Sequence, residues 1–485
     1  MDFIQANLID PISKVLYTYV LVYLLVAAGI YFTIRTRFVQ FRYFRRMLGQ
    51  LFNSRVGDGG ISSFQAFCVG LASRVGTGNI AGVAIALTVG GPGAIFWMWV
   101  VALIGMATAL IEATLAQIFK VRAPDGTYRG GPAFYIQRGL KSRPGGVLFA
   151  VLLVFTFGFA FNMVQANAIA DVLNASHAVE VHYTTIGLVA LAAPILFGGV
   201  RRVAKVAEVV LPLMALAYVL LALVIIALNV GNLPHAFAQI IGGAFGLEQM
   251  AGGFTGGVAA AMLNGVKRGL FSNEAGMGSA PNVAATASVS HPVKQGLIQS
   301  LGVFVDTMII CTATALIILV SGPEIYDPHT PTKMAGASLT ASAVAASLGS
   351  WTTWLMTILV FVLAFSSVLG NYVYAEINLF FLGANERALT IFRVLVLGAI
   401  ALGAVAKLST VWDFADISMG LMAIVNLVAI VLLGKWAFAC LRNYHLQAEG
   451  GEDPVFIVEE ANMPGELEGD IWSKVQRTKY TSWSA

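Results

Sequence analysis

Charged side chains are scarce in this chain. Asp, Glu, Lys and Arg supply 11% of its 485 residues, less than half the roughly one quarter carried by a soluble domain. Hydrophobic residues make up 58%, and the mean hydropathy is +0.79. Such a chain needs a solvent other than water. Cysteine is also rare. Cys68, Cys311 and Cys440 form no C-x-x-C pair, so neither a zinc site nor a disulfide framework is readable, and each lies in or beside an apolar stretch where packing accounts for it. No H-E-x-x-H or G-x-S-x-G motif occurs, and the six histidines lie mostly in loops or the tail. The chain does not read as an enzyme, and no organic cofactor is expected. Short alternating segments of about ten residues, the signature of a membrane β-barrel, are missing as well.

What is present is a series of long apolar runs, many at or above the ~20 residues that cross a ~30 Å hydrocarbon core. The fold class expected is an all-α polytopic membrane protein with 11 transmembrane helices. One helix at 14–34 stands apart from the rest. A first group follows at 62–90, 93–120, 146–173, 183–199 and 205–229. A second group lies at 252–285, 294–321, 350–382, 387–405 and 411–440. The domain division expected is thus an outer N-terminus 1–13, an extra helix 14–34, repeats 62–229 and 252–440, and a cytoplasmic tail 441–485. The first helix does not read as a cleaved signal, because it is too long, lacks an A-x-A-like site and runs into a basic stretch.

Lysine and arginine fall on one side. Arg35, Arg37, Arg42, Arg45, Arg46 and Arg55 follow the first helix. Lys120, Arg122, Arg129, Arg138, Lys141 and Arg143 occupy the next loop on that side. Arg201, Arg202, Lys205, Lys267, Arg268, Lys294, Arg387 and Arg393 are assigned to further loops there, and Lys435, Arg442, Lys474, Arg477 and Lys479 to the tail. The other side has only Lys14, Lys333 and Lys407, with Arg74 inside a span. The N-terminus is expected outside and the C-terminus in the cytoplasm. Residues 130–140 read as a short cytoplasmic amphipathic helix, and 335–347 as a small-residue helix on the outer side, a candidate lid. Glu449 to Asp470 contains eight acids and no base, which reads as a solvated, weakly ordered segment.

Two spans break their own pattern. Gly70-Leu-Ala-Ser-Arg-Val-Gly-Thr-Gly-Asn-Ile-Ala-Gly82 places four glycines, an arginine, an asparagine and two hydroxyls mid-span. Phe271-Ser-Asn-Glu-Ala-Gly-Met-Gly-Ser279 does the same in the first helix of the second group. Glycine weakens a helix by ~1 kcal/mol relative to Ala, and polar groups at bilayer depth are costly unless they face a cavity. Paired interruptions at corresponding positions of two five-helix groups point to an inverted-repeat transporter. Unwinding frees backbone groups, which is tolerated only against protein or a water-filled cavity. A half-helix N-terminus offers N–H groups to a carboxylate, while freed carbonyls and hydroxyls suit a hard cation or an ammonium. A zwitterion with Na⁺ fits that set.

Blander accounts were weighed. The glycines could serve only close helix packing. Gly76-x-Gly78-x-x-Ala81 matches a dinucleotide fingerprint but lacks the βαβ unit that motif requires. An open channel is disfavoured, because channels build filters by oligomeric symmetry. Arg74 and Glu274 read as an ion pair or gate, or as two charges that merely neutralise each other. Glu112, Asp306, Glu376, Asp413 and Asp416, in or near spans, read as helix contacts or, in a proton-coupled protein, as proton sites. Trp97 and Trp99 read as an aromatic belt.

The segments SRVGTGNIAGVA, GGPGAIFWMW, YRGGPAFYIQRGL, NMVQANAIA, FSNEAGMGSAPN and FAFSSVLGNYVYAE resemble the alanine or glycine:cation symporter family, from about residue 60 to 440. The resemblance implies a leucine-transporter-type (LeuT-type) fold of five-plus-five inverted helices with one extra N-terminal helix. It implies Na⁺-coupled import of small neutral amino acids such as alanine and glycine across a bacterial inner (plasma) membrane, by a chain working as a monomer. It places substrate contacts on Gly76, Thr77, Gly78, Asn79, Gln165, Phe271, Ser272, Asn273, Met277, Ser367 and Asn371. It places Na⁺ on the carbonyls of Ala72, Val75 and Leu363 with the hydroxyls of Ser366 and Ser367. Many relatives carry Trp where this chain has Asn371, which leaves the pocket's size open. Without the resemblance, Ser366 and Ser367 would read as hydroxyls bonded one turn back, and Gln165 as interhelical glue.

Overall fold

The computed structural model describes residues 10–52, 60–124, 126–198, 200–246, 256–328, 336–451, 453–469 and 471–474. Among them, seven helices are long and apolar enough to cross a membrane, or nine if each of two bent pairs counts as one span. Besides the short helices Val39–Arg42 and Phe44–Phe52, the helices in chain order are α1 (Pro11–Arg35), α2 (Ser63–Arg74), α3 (Gly78–Gly90), α4 (Gly93–Ile118), α5 (Pro132–Gly139), α6 (Arg143–His177), α7 (Val181–Leu196), α8 (Val200–Leu228), α9 (Leu233–Phe245), α10 (Gly256–Asn273), α11 (Ala280–Thr286), α12 (Pro292–Val320), α13 (Ala337–Leu348), α14 (Thr352–Leu382), α15 (Glu386–Val405) and α16 (Leu408–Glu449). A two-residue hairpin, Val121–Arg122 with Tyr128–Arg129, leads into α5.

The apolar runs become helices because a backbone in lipid must satisfy its own hydrogen bonds. The outer faces confirm that solvent. Leu213, Leu216, Leu220 and Leu223 of α8, spaced along one helical face, are 52 to 59% exposed. Water would penalise that stripe, and acyl chains do not. Inside, α12 and α10 both pack on α4, and α6 packs on α14 and α15.

Several expectations hold. The short helix at 130–140 is α5, started by Pro132 at its first turn. The small-residue helix is α13, and the earlier residue 335 lies outside the described residues. The span at 62–90 is bent by 48° between α2 and α3, and the run at 252–285, whose first residues are not described, is interrupted after Asn273.

Others are corrected. Residues 233–245, left between spans, form α9, bent 81° from the end of α8. Pro234 opens that helix and Gly246 closes it in the left-handed region. Lys267 and Arg268, assigned to a loop, lie within α10, where Arg268 is 3% exposed. They contribute nothing to the loop bias.

The acidic tail is the largest correction. Its described residues fold back on one end of the helices instead of extending into water. The Phe456 amide donates to the Ser290 carbonyl at 2.9 Å, and Ser290 Oγ donates to the Pro454 carbonyl at 3.0 Å. Trp472 is buried, and its indole N–H donates to the Gln117 carbonyl at 3.0 Å. Lys294 pairs with Asp453 at 2.5 Å, and Lys141 with Glu468 at 2.6 Å. Hydrogen bonding from Lys141, with the Arg138 guanidinium adding to it, holds the Glu468 carboxyl below its ordinary value. The acids read as unopposed because their bases sit far away in sequence, at Arg138 of α5, at Lys141 just beyond it and at Lys294 in the first turn of α12.

Candidate functional site

The first break begins where Val75 leaves helical geometry (φ −78°, ψ 90°). Two amides freed by the turn find side-chain oxygens. Gly76 N–H donates to Asn79 Oδ1 at 3.0 Å, and Thr77 N–H donates to Gln165 Oε1 at 3.3 Å. Two amide oxygens therefore occupy positions that the two oxygens of a carboxylate could take. Gly76 is required by space: a Cβ there would overlap Ser367 Oγ and lie 3.1 Å from Gln165 Oε1. At Gly78 a Cβ would lie 3.0 Å from the Phe271 ring and 3.2 Å from Ser272 Cα. The two broken spans thus touch at their interruptions.

The second break runs through left-handed backbone at Glu274 (φ 57°), Gly276 (φ 86°) and Gly278 (φ 86°). Its freed groups are satisfied from neighbouring helices. Gly276 N–H donates to Glu112 of α4 at 3.2 Å, and its carbonyl accepts from Asn426 of α16 at 2.9 Å. Asn273 Oδ1 accepts from Ala275 N–H at 3.0 Å, closing a local turn. The Glu274 carboxylate accepts from Ser73 Oγ at 2.8 Å and Ser279 Oγ at 2.6 Å.

Across the bundle, α14 meets the end of α2. Ser367 Oγ lies 2.8 Å from the Ala72 carbonyl and 3.1 Å from the Leu363 carbonyl, and Ser366 Oγ lies 2.8 Å from the same Leu363 carbonyl. The back-bonding account of these serines is thus correct as geometry, but Ser367 also reaches a second helix. One hydroxyl proton cannot serve two carbonyls at once, so the cluster is rich in oxygen lone pairs, the donor set a hard cation takes. Of the five cation residues expected, Ala72, Leu363, Ser366 and Ser367 come together, and Val75 sits at the break beyond them.

The remaining expected residues divide. Asn79 Nδ2 reaches Ser272 Oγ at 3.1 Å and Asp306 Oδ1 at 2.6 Å, and Ser272 Oγ donates to Asp306 Oδ2 at 2.8 Å. Phe271 lies between Phe161 and Trp412, with ring centroids 4.4 and 4.5 Å away. Asn371 donates to Asn162 Oδ1 at 3.0 Å, and its Oδ1 lies 2.9 Å from Ser73 Oγ, as an acceptor alternative to Glu274 for that hydroxyl's one proton. Asn273 Nδ2 instead reaches Thr307 at 3.2 Å on α12, and Met277 is buried in the second break. Asn162, Ser73, Trp412 and Phe161 were not singled out in the sequence. Asn162 and Ser73 lie inside motifs already quoted, and the two aromatics carried no signal that separates them from core.

The expected Arg74–Glu274 ion pair does not form. Glu274 is held by serines, and Arg74 donates only through Nη1 to the Gln299 carbonyl at 3.4 Å. The buried ion pair near the breaks is instead Arg268–Asp416, joining α10 to α16, with the guanidinium 4.6 Å over Trp412. The Trp99 indole N–H donates to Thr312 at 2.8 Å.

Among the described residues, no group of three or more His, Cys, Asp or Glu side chains could hold a metal ion. The cluster around Ser367 is built instead from carbonyl and hydroxyl oxygens.

The sequence pattern of the sodium:alanine symporter family matches residues 1–458. A probable sodium/glutamine symporter, GlnT of Bacillus subtilis, is 47% identical over 460 residues, covering 94% of each chain. The amino-acid carrier protein AlsT of the same organism is 46% identical over 467 residues, covering 96% of this chain and 97% of its own. The sodium/alanine symporter AgcS of Methanococcus maripaludis is 37% identical over 440 residues, covering 89% and 95%.

Proposed function

The chain belongs to the sodium:alanine symporter family, and from that premise we propose that it couples inward Na⁺ movement to import of a small neutral amino acid by alternating access. The observation that carries this reading is the meeting of three features at one point. Two backbone N–H groups at Gly76 and Thr77 suit a carboxylate, the oxygen cluster of Ala72, Leu363, Ser366 and Ser367 suits Na⁺, and both lie where the two broken spans touch.

In this reading the substrate carboxylate displaces Asn79 Oδ1 and Gln165 Oε1 from the two amides. Na⁺ completes the oxygen cluster beside it, with the Val75 carbonyl joining. Phe271, Ser272, Asn273 and Met277 border the amino group and side chain. Alanine and glycine are the first substrates to test. Glutamine joins them, because one relative is named a probable sodium/glutamine symporter and because Asn371 and Asn162 bring amides to the region. The proposed architecture is the eleven-helix LeuT-type arrangement, α1 plus two repeats of five spans, acting as a monomer in a bacterial inner membrane. The end covered by the tail would face the cytoplasm.

The test is uptake into proteoliposomes. Labelled alanine, glycine or glutamine should accumulate uphill only under an inward Na⁺ gradient. Accumulation that follows a pH gradient and ignores Na⁺ would replace Na⁺ by H⁺ as the coupling ion. Equilibration without uphill accumulation would make the protein a facilitator.

A further inference from the structure

Arg74 ends α2 two residues before Gly76 and is 2% exposed. Its Nη1 makes one long bond to the Gln299 carbonyl, whereas Nε and Nη2 meet no acceptor. Those two atoms are the side-on edge of the guanidinium, a pair of parallel N–H groups whose spacing matches the two oxygens of a carboxylate. Facing it on α12, Gln299 is 1% exposed and its Nε2 is unpartnered. Gln295, one turn earlier, has both polar atoms unpartnered. Glycines let the two side chains lie close against the backbone: a Cβ at Gly302 would lie 2.5 Å from Arg74 Nη1, and one at Gly70 would lie 3.3 Å from Gln299 Oε1.

The chain's own acids do not fill this fork. Glu274 is engaged by Ser73 and Ser279, Glu112 by Gly276 and Asn426, and Asp306 by Asn79, Ser272 and Thr307. Two N–H groups of a buried guanidinium left without acceptors are costly, so an anion from outside the chain would suit them. We infer that Arg74 and Gln299 form a second carboxylate site, on the tail-facing side of the first break, that receives the amino acid substrate's carboxylate between the central site and the cytoplasm. The inference rests on the symport reading above and adds a station on its inner path. Arg74 binds there through its fork, and Gln299 Nε2 supplies a third donor.

Right-side-out membrane vesicles separate the two sites. Efflux from vesicles loaded with labelled alanine gives the internal half-saturation, and Na⁺-driven uptake gives the external one. Arg74→Lys keeps the charge and removes the fork, and Gln299→Glu fills the fork with a tethered carboxylate. Each should raise internal half-saturation about tenfold, equivalent to ~1.4 kcal/mol, while external half-saturation stays within about twofold. Propionate confined to the interior should inhibit wild-type efflux and spare both variants. Internal and external values that move together, or neither moving, would overturn the second site, as would propionate inhibition that survives in Gln299→Glu. Gln299→Glu decides the matter if Arg74→Lys does not fold. Wild-type uptake under a Na⁺ gradient reports on symport alone, whereas the ratio of internal to external half-saturation reports on the second site alone.

Discussion

Ser367 of α14 and Ala72 of α2 are 295 positions apart in sequence, yet the serine hydroxyl lies 2.8 Å from the alanine carbonyl. That contact joins the last turn before the first break to the middle of an unbroken 31-residue helix. It sets the oxygen cluster between the end of a broken span and a continuous one.

Ser367→Ala should therefore weaken Na⁺ dependence more than substrate binding. Loss of one oxygen donor predicts roughly a tenfold rise in half-saturating Na⁺, about 1.4 kcal/mol. Uptake measured across a Na⁺ series checks this, and an unchanged midpoint would remove Ser367 from the cation set.

Gly76→Ala and Gly78→Leu test the carboxylate position. The first puts a methyl group into Ser367 Oγ and beside Gln165 Oε1, and the second drives a branched side chain into Phe271. Both should abolish labelled-alanine binding while the protein still elutes as a folded species on size exclusion. Retained binding in either would place the carboxylate elsewhere.

Arg268 and Asp416 are both almost fully buried, and their pairing also engages Lys267 at 3.8 Å. Removing one partner strands the other, which costs about 3–5 kcal/mol for a buried pair. Asp416→Asn should lower the unfolding temperature in detergent markedly. The double change Arg268→Met with Asp416→Leu should recover much of that loss. A double variant no better than the single would show that the ion pair itself, not the stranded charge, supplies the stability.

The tail is held by Trp472 and by the Glu468 contacts to Lys141 and Arg138. Trp472→Ala should speed protease cleavage between residues 453 and 474 by about tenfold, as expected for a loss of ~1.4 kcal/mol in local stability. The Glu468 carboxyl is held below its ordinary value, so its contribution is complete above about pH 4.3 and is lost as pH falls through the depressed value. Cleavage should thus be insensitive to pH near neutrality. It should rise with salt, because Glu468 is 59% exposed and its ion pairs are screened. A cleavage rate that changes between about pH 6 and 8 would assign the latch to another group.

Much of the fold was legible because lipid imposes a strict rule on backbone: long apolar runs must be helices. Where that rule is violated, at Gly76-Thr77-Gly78 and at Glu274 to Gly278, the violation itself marked the site. Asn79 and Gln165 were placed near it by the family resemblance, since polarity at that depth alone reads equally well as interhelical bonding. The helix at 233–245 was missed, since at 13 residues it is too short to cross a membrane by itself.

Pairing between distant residues was beyond the sequence. Charge sign alone suggested Arg74 with Glu274, but the backbone at Glu274 turns left-handed and delivers its carboxylate to Ser73 and Ser279. The partner of Asp416 proved to be Arg268, a residue the loop bias had assigned to solvent. The tail's acids looked unopposed until Lys141, Arg138 and Lys294 were brought under them. Local sequence determines which segments are helical and where they break, because hydrogen-bond satisfaction in lipid is decided residue by residue. Which buried charge meets which donor was decided only by tertiary packing, because that depends on the directions in which helices tens or hundreds of residues apart present their side chains.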